Sequence, residues 1–153
     1  MKKLQSYDFK SINLMVGVLA TIMIFFTTLV LKDSDSSFTG LEIAFGKEFA
    51  NLGSIASGEI AFNPLVLLAF SLPLIGGIVP LFVKKGYFIS TLAFIASAVM
   101  IFMIPDLTTV TVTILGNVNE VDVSWTYGIG LIFAGSLSIL GALIGLINIT
   151  KNA

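Results

Sequence analysis

Four long apolar runs separated by shorter polar stretches set the pattern of this chain. They cover about 11–31, 64–83, 87–104 and 128–149, each within the roughly 17–25 residues that an α-helix uses to cross a bilayer. None of the four contains an internal Lys, Asp or Glu. The pattern predicts an integral membrane protein, mainly α, built as a four-helix transmembrane bundle in a single tetraspan domain over 1–153. Only the turn at 84–86 separates the second and third runs, so these two helices are expected as antiparallel neighbours. The longer breaks, 32–63 and 105–127, then become loops on the opposite side.

Inside the loops the period changes. Thr108–Leu115 is β-branched almost throughout, Gly116-Asn117 is a turn dipeptide, and Val118–Tyr127 alternates. Val121, Val123 and Trp125 fall on one face, with Glu120, Asp122 and Ser124 on the other, which predicts a β-hairpin. In the first loop, Leu41–Gly46 alternates with Leu41, Ile43 and Phe45 on one face, and Gly58–Phe62 repeats its Glu-Ile-Ala-Phe word. Both read as strands, and Lys47–Gly53 between them as a helical turn. Glu42 and Glu59 hold equivalent places in the repeated word; as a close pair they would be candidate acid–base groups, and as solvated face residues they keep a sheet wet. A lone hairpin is marginal in water, so the strands of both loops are expected to join in one small extracellular antiparallel sheet. Ile43, Phe45, Trp125 and Tyr127 are its candidate interaction surface, the two aromatics also suiting an interfacial belt.

Within the second run, Asn63-Pro64 makes a helix start, Asn as cap and Pro where no N–H is needed. Pro73 frees the carbonyl of Ala69 and Pro80 that of Gly76, and each needs a hydroxyl, a water or a neighbouring helix. Pro73, Gly76, Gly77 and Pro80 are therefore a candidate hinge, either a moving element or a bend that shapes the bundle. Pro105 is expected to end the third helix. In the fourth, Ala134, Ser138, Gly141 and Gly145 form a small-residue face suited to close packing, inside the bundle or in a homodimer.

Charge orients the whole. All eight basic residues are lysine. Lys2, Lys3, Lys10, Lys84, Lys85 and Lys151 fall on one side and Lys32 and Lys47 on the other, a ratio of six to two. The positive-inside rule then places both termini in the cytoplasm of a multi-pass cell-membrane protein. The run after Met1-Lys2-Lys3 exceeds the 7–15 residues or so of a signal-peptide core, so it reads as a retained first helix.

The chain has no cysteine and no histidine. Disulfides, thiolate catalysis, Cys/His metal sites and histidine acid–base chemistry are excluded within it. No nucleophile–base pair, phosphate loop or nucleotide fingerprint appears, so neither catalysis nor a cofactor is expected. A membrane interior without charge argues against ion-coupled transport.

The layout resembles the tetraspan pattern of claudin-like proteins: cytoplasmic termini, a longer first outer loop with strands, a shorter second loop and a short inner turn. The claudin signature of tryptophans, a Gly-Leu-Trp word and two cysteines is missing from the first loop, so barrier or pore residues do not carry over. The Phe38-Thr39-Gly40-Leu41…Phe45-Gly46 stretch is similar to loops in uncharacterised tetraspan proteins of low-GC bacteria and mollicutes. The reading is a small membrane scaffold or interaction protein that presents its sheet to a partner protein or a second copy, with membrane lipid around it and no nucleic acid. The alternatives are a channel or transport-related subunit, and a membrane immunity or accessory protein.

Overall fold

The computed structural model describes residues 2–32 and 34–152, with the side chains of 9–32 and 34–151. The side chains of Lys2 and Lys3, both counted in the charge balance, lie outside the described residues, as do Asp33 and the side chain of Asp8.

The long helices are α1 (Lys2–Ile22), α3 (Pro64–Phe82), α4 (Gly86–Phe102) and α6 (Ile129–Asn152). They form a four-helix bundle in which α3 packs on α1 and α4, and α6 closes the ring by packing on α4 and α1. Two of them, α3 and α6, are long and apolar enough to cross a membrane. The shorter apolar helices cover Phe9–Phe25 and Gly86–Phe102.

Everything else gathers at one end of the bundle, opposite the α3–α4 turn. The chain between α1 and α3 gives β1 (Thr27–Leu31), β2 (Ser37–Thr39), α2 (Gly40–Phe45), β3 (Lys47–Asn51) and β4 (Ala56–Ile60). The chain between α4 and α6 gives α5 (Ile104–Leu107), β5 (Val110–Ile114), β6 (Asn117–Val121) and β7 (Trp125–Tyr127). Two antiparallel sheets result, one ordered β2-β1-β7 and the other β3-β4-β5-β6. Each draws strands from both connecting segments. The main apolar core lies where sheets meet helices and includes Leu29, Phe38, Ile43, Ile60, Phe70, Ile101, Ile104 and Leu131.

Several expectations are corrected. The first helix, expected over 11–31, starts at Lys2 and ends at Ile22, followed by a 3-10 turn and a strand. Thr27–Leu31 pairs on both edges, with β2 (Leu29↔Phe38) and with β7 (Leu29↔Tyr127). Two ladders of backbone hydrogen bonds outweigh one more helical turn for a Thr-Thr-Leu-Val-Leu segment already rich in strand formers.

In the first segment, strand and helix are exchanged. Leu41–Phe45 is helical because Thr39 and Glu42 form a reciprocal capping box: Glu42 N–H donates to Thr39 Oγ1 at 3.3 Å and Thr39 N–H to Glu42 Oε2 at 2.8 Å. Both satisfy donors a helix start leaves open. The expected helical turn at Lys47–Gly53 is instead β3, paired with β4.

The expected single sheet is two, and the hairpin is shorter than expected. Its turn is Leu115-Gly116, both at positive φ (49° and 83°), and Asn117 already pairs with Ile114. The alternation through Tyr127 is broken at 122–124, and Trp125–Tyr127 joins the other sheet. Pro105 does not simply end the third helix; it sits in the first turn of α5.

Candidate functional site

Two regions hold the residues singled out above: the middle of the bundle and the double sheet. In the bundle, α3 runs through both internal prolines as one helix. The carbonyls they free are each met by a serine of α4. Ser97 Oγ donates to Ala69 O at 2.8 Å, and Ser90 Oγ to Gly76 O at 2.5 Å. Prolines on α3 and serines on α4 are each seven residues apart. In an antiparallel pair this spacing keeps both matches in register, because seven residues are about two helical turns.

The serines extend into a buried polar network. Ser97 Oγ lies 3.2 Å from Ser138 Oγ on α6, and Ser138 Oγ donates to Ala134 O at 2.8 Å. Asn13 Nδ2 on α1 donates to Ser90 Oγ at 2.9 Å. Asn13, Ser90, Ser97 and Ser138 are fully buried. Among the described residues, Asn13 Oδ1 and the Tyr87 hydroxyl are the buried side-chain polar atoms without a partner.

Small residues bring the helices this close. A Cβ on Gly17 would stand 2.3 Å from the Pro73 carbonyl, and one on Gly77 2.9 Å from the Asn13 carbonyl. Gly76 faces the Phe94 ring, Gly141 meets the same ring and Gly145 meets Thr91. The four hinge candidates, Pro73, Gly76, Gly77 and Pro80, are thus buried against α1 and α4. Ala134, Ser138, Gly141 and Gly145 are buried too, the latter two turned toward α4.

At the sheet end, Asn63 joins three elements. Its Oδ1 accepts from Leu65 N–H at 3.1 Å, capping α3 as the sequence indicates, while its Nδ2 donates to Leu107 O of α5 at 2.7 Å. Its own N–H donates to Ala44 O of α2 at 3.0 Å.

The interaction-surface candidates separate. Ile43 is fully buried on the inner face of α2, a correction to its expected place on a strand surface, and Phe45 at the end of α2 is 62% exposed. Trp125 packs edge-on against Phe38 with centroids 5.9 Å apart, and half-exposed Tyr127 stands over Phe102 at 6.4 Å.

Of the two arrangements open to Glu42 and Glu59 in the sequence, a close pair or separate solvated carboxylates, the structure gives each its own partners. Glu42 is bonded to the Lys47 ammonium and to Thr39. Burial pushes the Glu42 carboxyl up, but the Lys47 and Thr39 contacts together outweigh it and hold the group below its ordinary value. Glu59 instead faces Glu48 directly across the β3–β4 ladder and accepts from Thr111 Oγ1 at 3.3 Å. Thr111 in turn faces Glu120, so Glu48, Glu59 and Glu120 form an acidic row on one face of the four-stranded sheet. A cavity of about 310 Å³ beside β6 is lined by Asp106, Thr108, Glu120, Asp122 and Trp125. Among the described residues no group of three or more His, Cys, Asp or Glu is arranged to hold a metal ion.

Comparison with protein-family models, with curated proteins and with solved structures finds no match.

Proposed function

We propose that this chain is a four-span membrane protein that acts as a scaffold, its double sheet held outside the bilayer for a partner protein. The reading rests on the polarity of the bundle, which is apolar outside and polar inside. Ile75, Ile78, Leu92, Val99, Ile139 and Leu143 are exposed on its outer surface, whereas Asn13, Ser90, Ser97 and Ser138 are fully buried. A bundle in water favours the reverse arrangement; one in lipid keeps polar side chains for contacts between helices. The 17-residue shorter helices span about 26 Å at 1.5 Å per residue, close to the hydrocarbon thickness of roughly 30 Å. A wholly apolar groove of about 610 Å³ between α4 and α6, floored by Ala98 and Ala142, suits lipid chains.

The scaffold role rests on the four-stranded sheet. Its edge strands β3 and β6 are exposed along their whole length, and an open edge with free backbone groups is a surface on which another chain can add a strand. The acidic row favours a partner with basic residues. The competing reading, a channel or transport subunit driven by the Pro73/Pro80 helix, is disfavoured because both freed carbonyls are bonded to α4 and the glycines between them are packed.

Purification in mild detergent, read by mass spectrometry, tests the proposal when the wild type is compared with Val118→Pro and Glu59→Lys. A defined partner present with the wild type and lost with the sheet variants supports it. A partner set unchanged by both contradicts it, and ion or solute flux from liposomes that Pro73→Ala abolishes would favour the channel.

A further inference from the structure

The two turns of the four-stranded sheet lie side by side at its end away from the helices. β4 and β5 pair from Ile60↔Val110 near the core to Ala56↔Ile114 at the far end. Beyond that, Leu115 N–H donates to Ile55 O at 2.9 Å and ties one turn to the other. On and beside these turns stand Leu52, Ile55, Ile114, Leu115 and Val118, all at least half exposed, with Leu115 at 74% and Leu52 at 71%. No charged residue occurs in 51–58 or 112–119.

The backbone supplies an independent observation. Leu115 is, among the described residues, the one non-glycine with positive φ. Two-residue hairpin turns of this handedness favour Asn, Asp or Gly at that place, and leucine there is costly. Its side chain is largely exposed, so the fold recovers little packing in return.

We propose that this tip enters a lipid bilayer apposed to the one that the helices cross, so that the protein holds two membrane surfaces together. The proposal rests on the four-span reading. The exposed aliphatic tip consists of five side chains, whereas a stable protein interface takes about 20–30 residues and roughly 800 Å² per partner. The tip also lacks the Trp, Tyr and Arg that anchor such interfaces. Entry into lipid needs neither; it needs uncharged aliphatic side chains on a protruding backbone. Glu48, Glu59 and Glu120 stand farther back on the sheet, so the approaching surface is zwitterionic rather than anionic.

The direction follows from where the aromatics lie. Phe25, Phe26, Phe45, Phe62 and Tyr127 are exposed around the helix ends, the level at which aromatic residues meet a membrane's own interface. Along β4, Ile55 is seven residues beyond Phe62, about 23 Å of extended chain.

The test uses the full chain in phosphatidylcholine vesicles and protein-free acceptor vesicles of the same lipid. The chain has no cysteine, so Leu115→Cys can carry an environment-sensitive fluorophore. Protein vesicles are expected to cluster the acceptors, and the fluorophore to be quenched when brominated lipid is in the acceptors alone. Leu52→Asp with Leu115→Asp should reduce clustering at least ten-fold while helix content and membrane retention are unchanged. Absence of clustering, clustering only between vesicles that both carry protein, or quenching from brominated lipid in the protein's own vesicle would each overturn the proposal. The second of these outcomes would point to pairing of two copies. Release of the chain by alkaline carbonate is a separate readout: it contradicts the four-span reading itself and removes the premise.

Discussion

Ser97 on α4 donates its hydroxyl to the Ala69 carbonyl that Pro73 leaves without an N–H on α3, at 2.8 Å. Ser90 repeats the arrangement for Pro80, two turns away. A proline inside a helix loses a hydrogen bond and exposes a carbonyl, and in this bundle the missing donor comes from the neighbouring helix. The defect thereby becomes a contact that sets the register of α3 on α4.

That register gives a double-mutant test. Ser97→Ala should cost about 1 kcal/mol by leaving the Ala69 carbonyl unbonded. In a Pro73→Ala background the carbonyl regains an N–H from its own helix, so the same substitution should cost less than half as much. Reversible unfolding of the four variants in detergent measures the coupling; equal costs in both backgrounds would mean that Ser97 does not act through the proline.

Close approach of α1 to α3 depends on Gly17, whose added Cβ would meet the Pro73 carbonyl at 2.3 Å. A backbone atom cannot swing aside as a flexible side chain can. Gly17→Ala is therefore expected to destabilise by about 1–3 kcal/mol. Gly53 has nothing within reach of a new Cβ and only a positive φ of 67° to penalise alanine, so Gly53→Ala should cost about 1 kcal/mol. Thermal unfolding of the two variants ranks them, and the reverse ranking would contradict the α1–α3 contact.

Ile43 and Phe45 are two residues apart and opposite in role. Ile43→Ala should cost about 2–5 kcal/mol as a core truncation. Phe45→Ala should stay within about 0.5 kcal/mol as a surface change. If both are neutral, α2 does not pack as described.

The capping box also makes α2 sensitive to acid. Lys47 and Thr39 hold Glu42 below its ordinary pKa of 4.5 despite the opposing effect of burial. A carboxyl with a lowered folded pKa contributes stability that is fully present above the unfolded value and is lost as pH falls through the folded one. Amide exchange in α2, corrected for intrinsic rates, should therefore accelerate below about pH 4.5. Glu42→Gln should remove that pH dependence; its persistence in the variant would assign the effect to another group.

The elements best read from sequence are those in which pattern and local chemistry agree. Asn63-Pro64 starts α3, and the two prolines free the two carbonyls expected of them. The Val110–Ile114 strand is written in β-branched residues. Elsewhere, short apolar segments obey two periods at once. Leu41, Ile43 and Phe45 alternate as in a strand, yet the Thr39–Glu42 capping box in the same sequence is the stronger signal and selects a helix. Thr27–Leu31 continues an apolar run and so reads as helix; its strand partners, Phe38 and Tyr127, lie in separate segments that hydropathy does not connect. The pairing of Ser90 and Ser97 with α3 is a tertiary match. The seven-residue spacing on both helices hints at it, but only the antiparallel packing brings the atoms together.

In the arrangement proposed above, four helices cross a bilayer and both sheets lie on one side of it. Single-cysteine labelling tests this arrangement directly, since no native cysteine interferes. Ser54→Cys and Asn119→Cys, on the two sheet hairpins, should react with a membrane-impermeant maleimide from outside intact cells. Lys84→Cys, in the α3–α4 turn, should react only after permeabilisation. Labelling of all three from the same side, or recovery of the chain in the soluble fraction, would contradict the four-span arrangement.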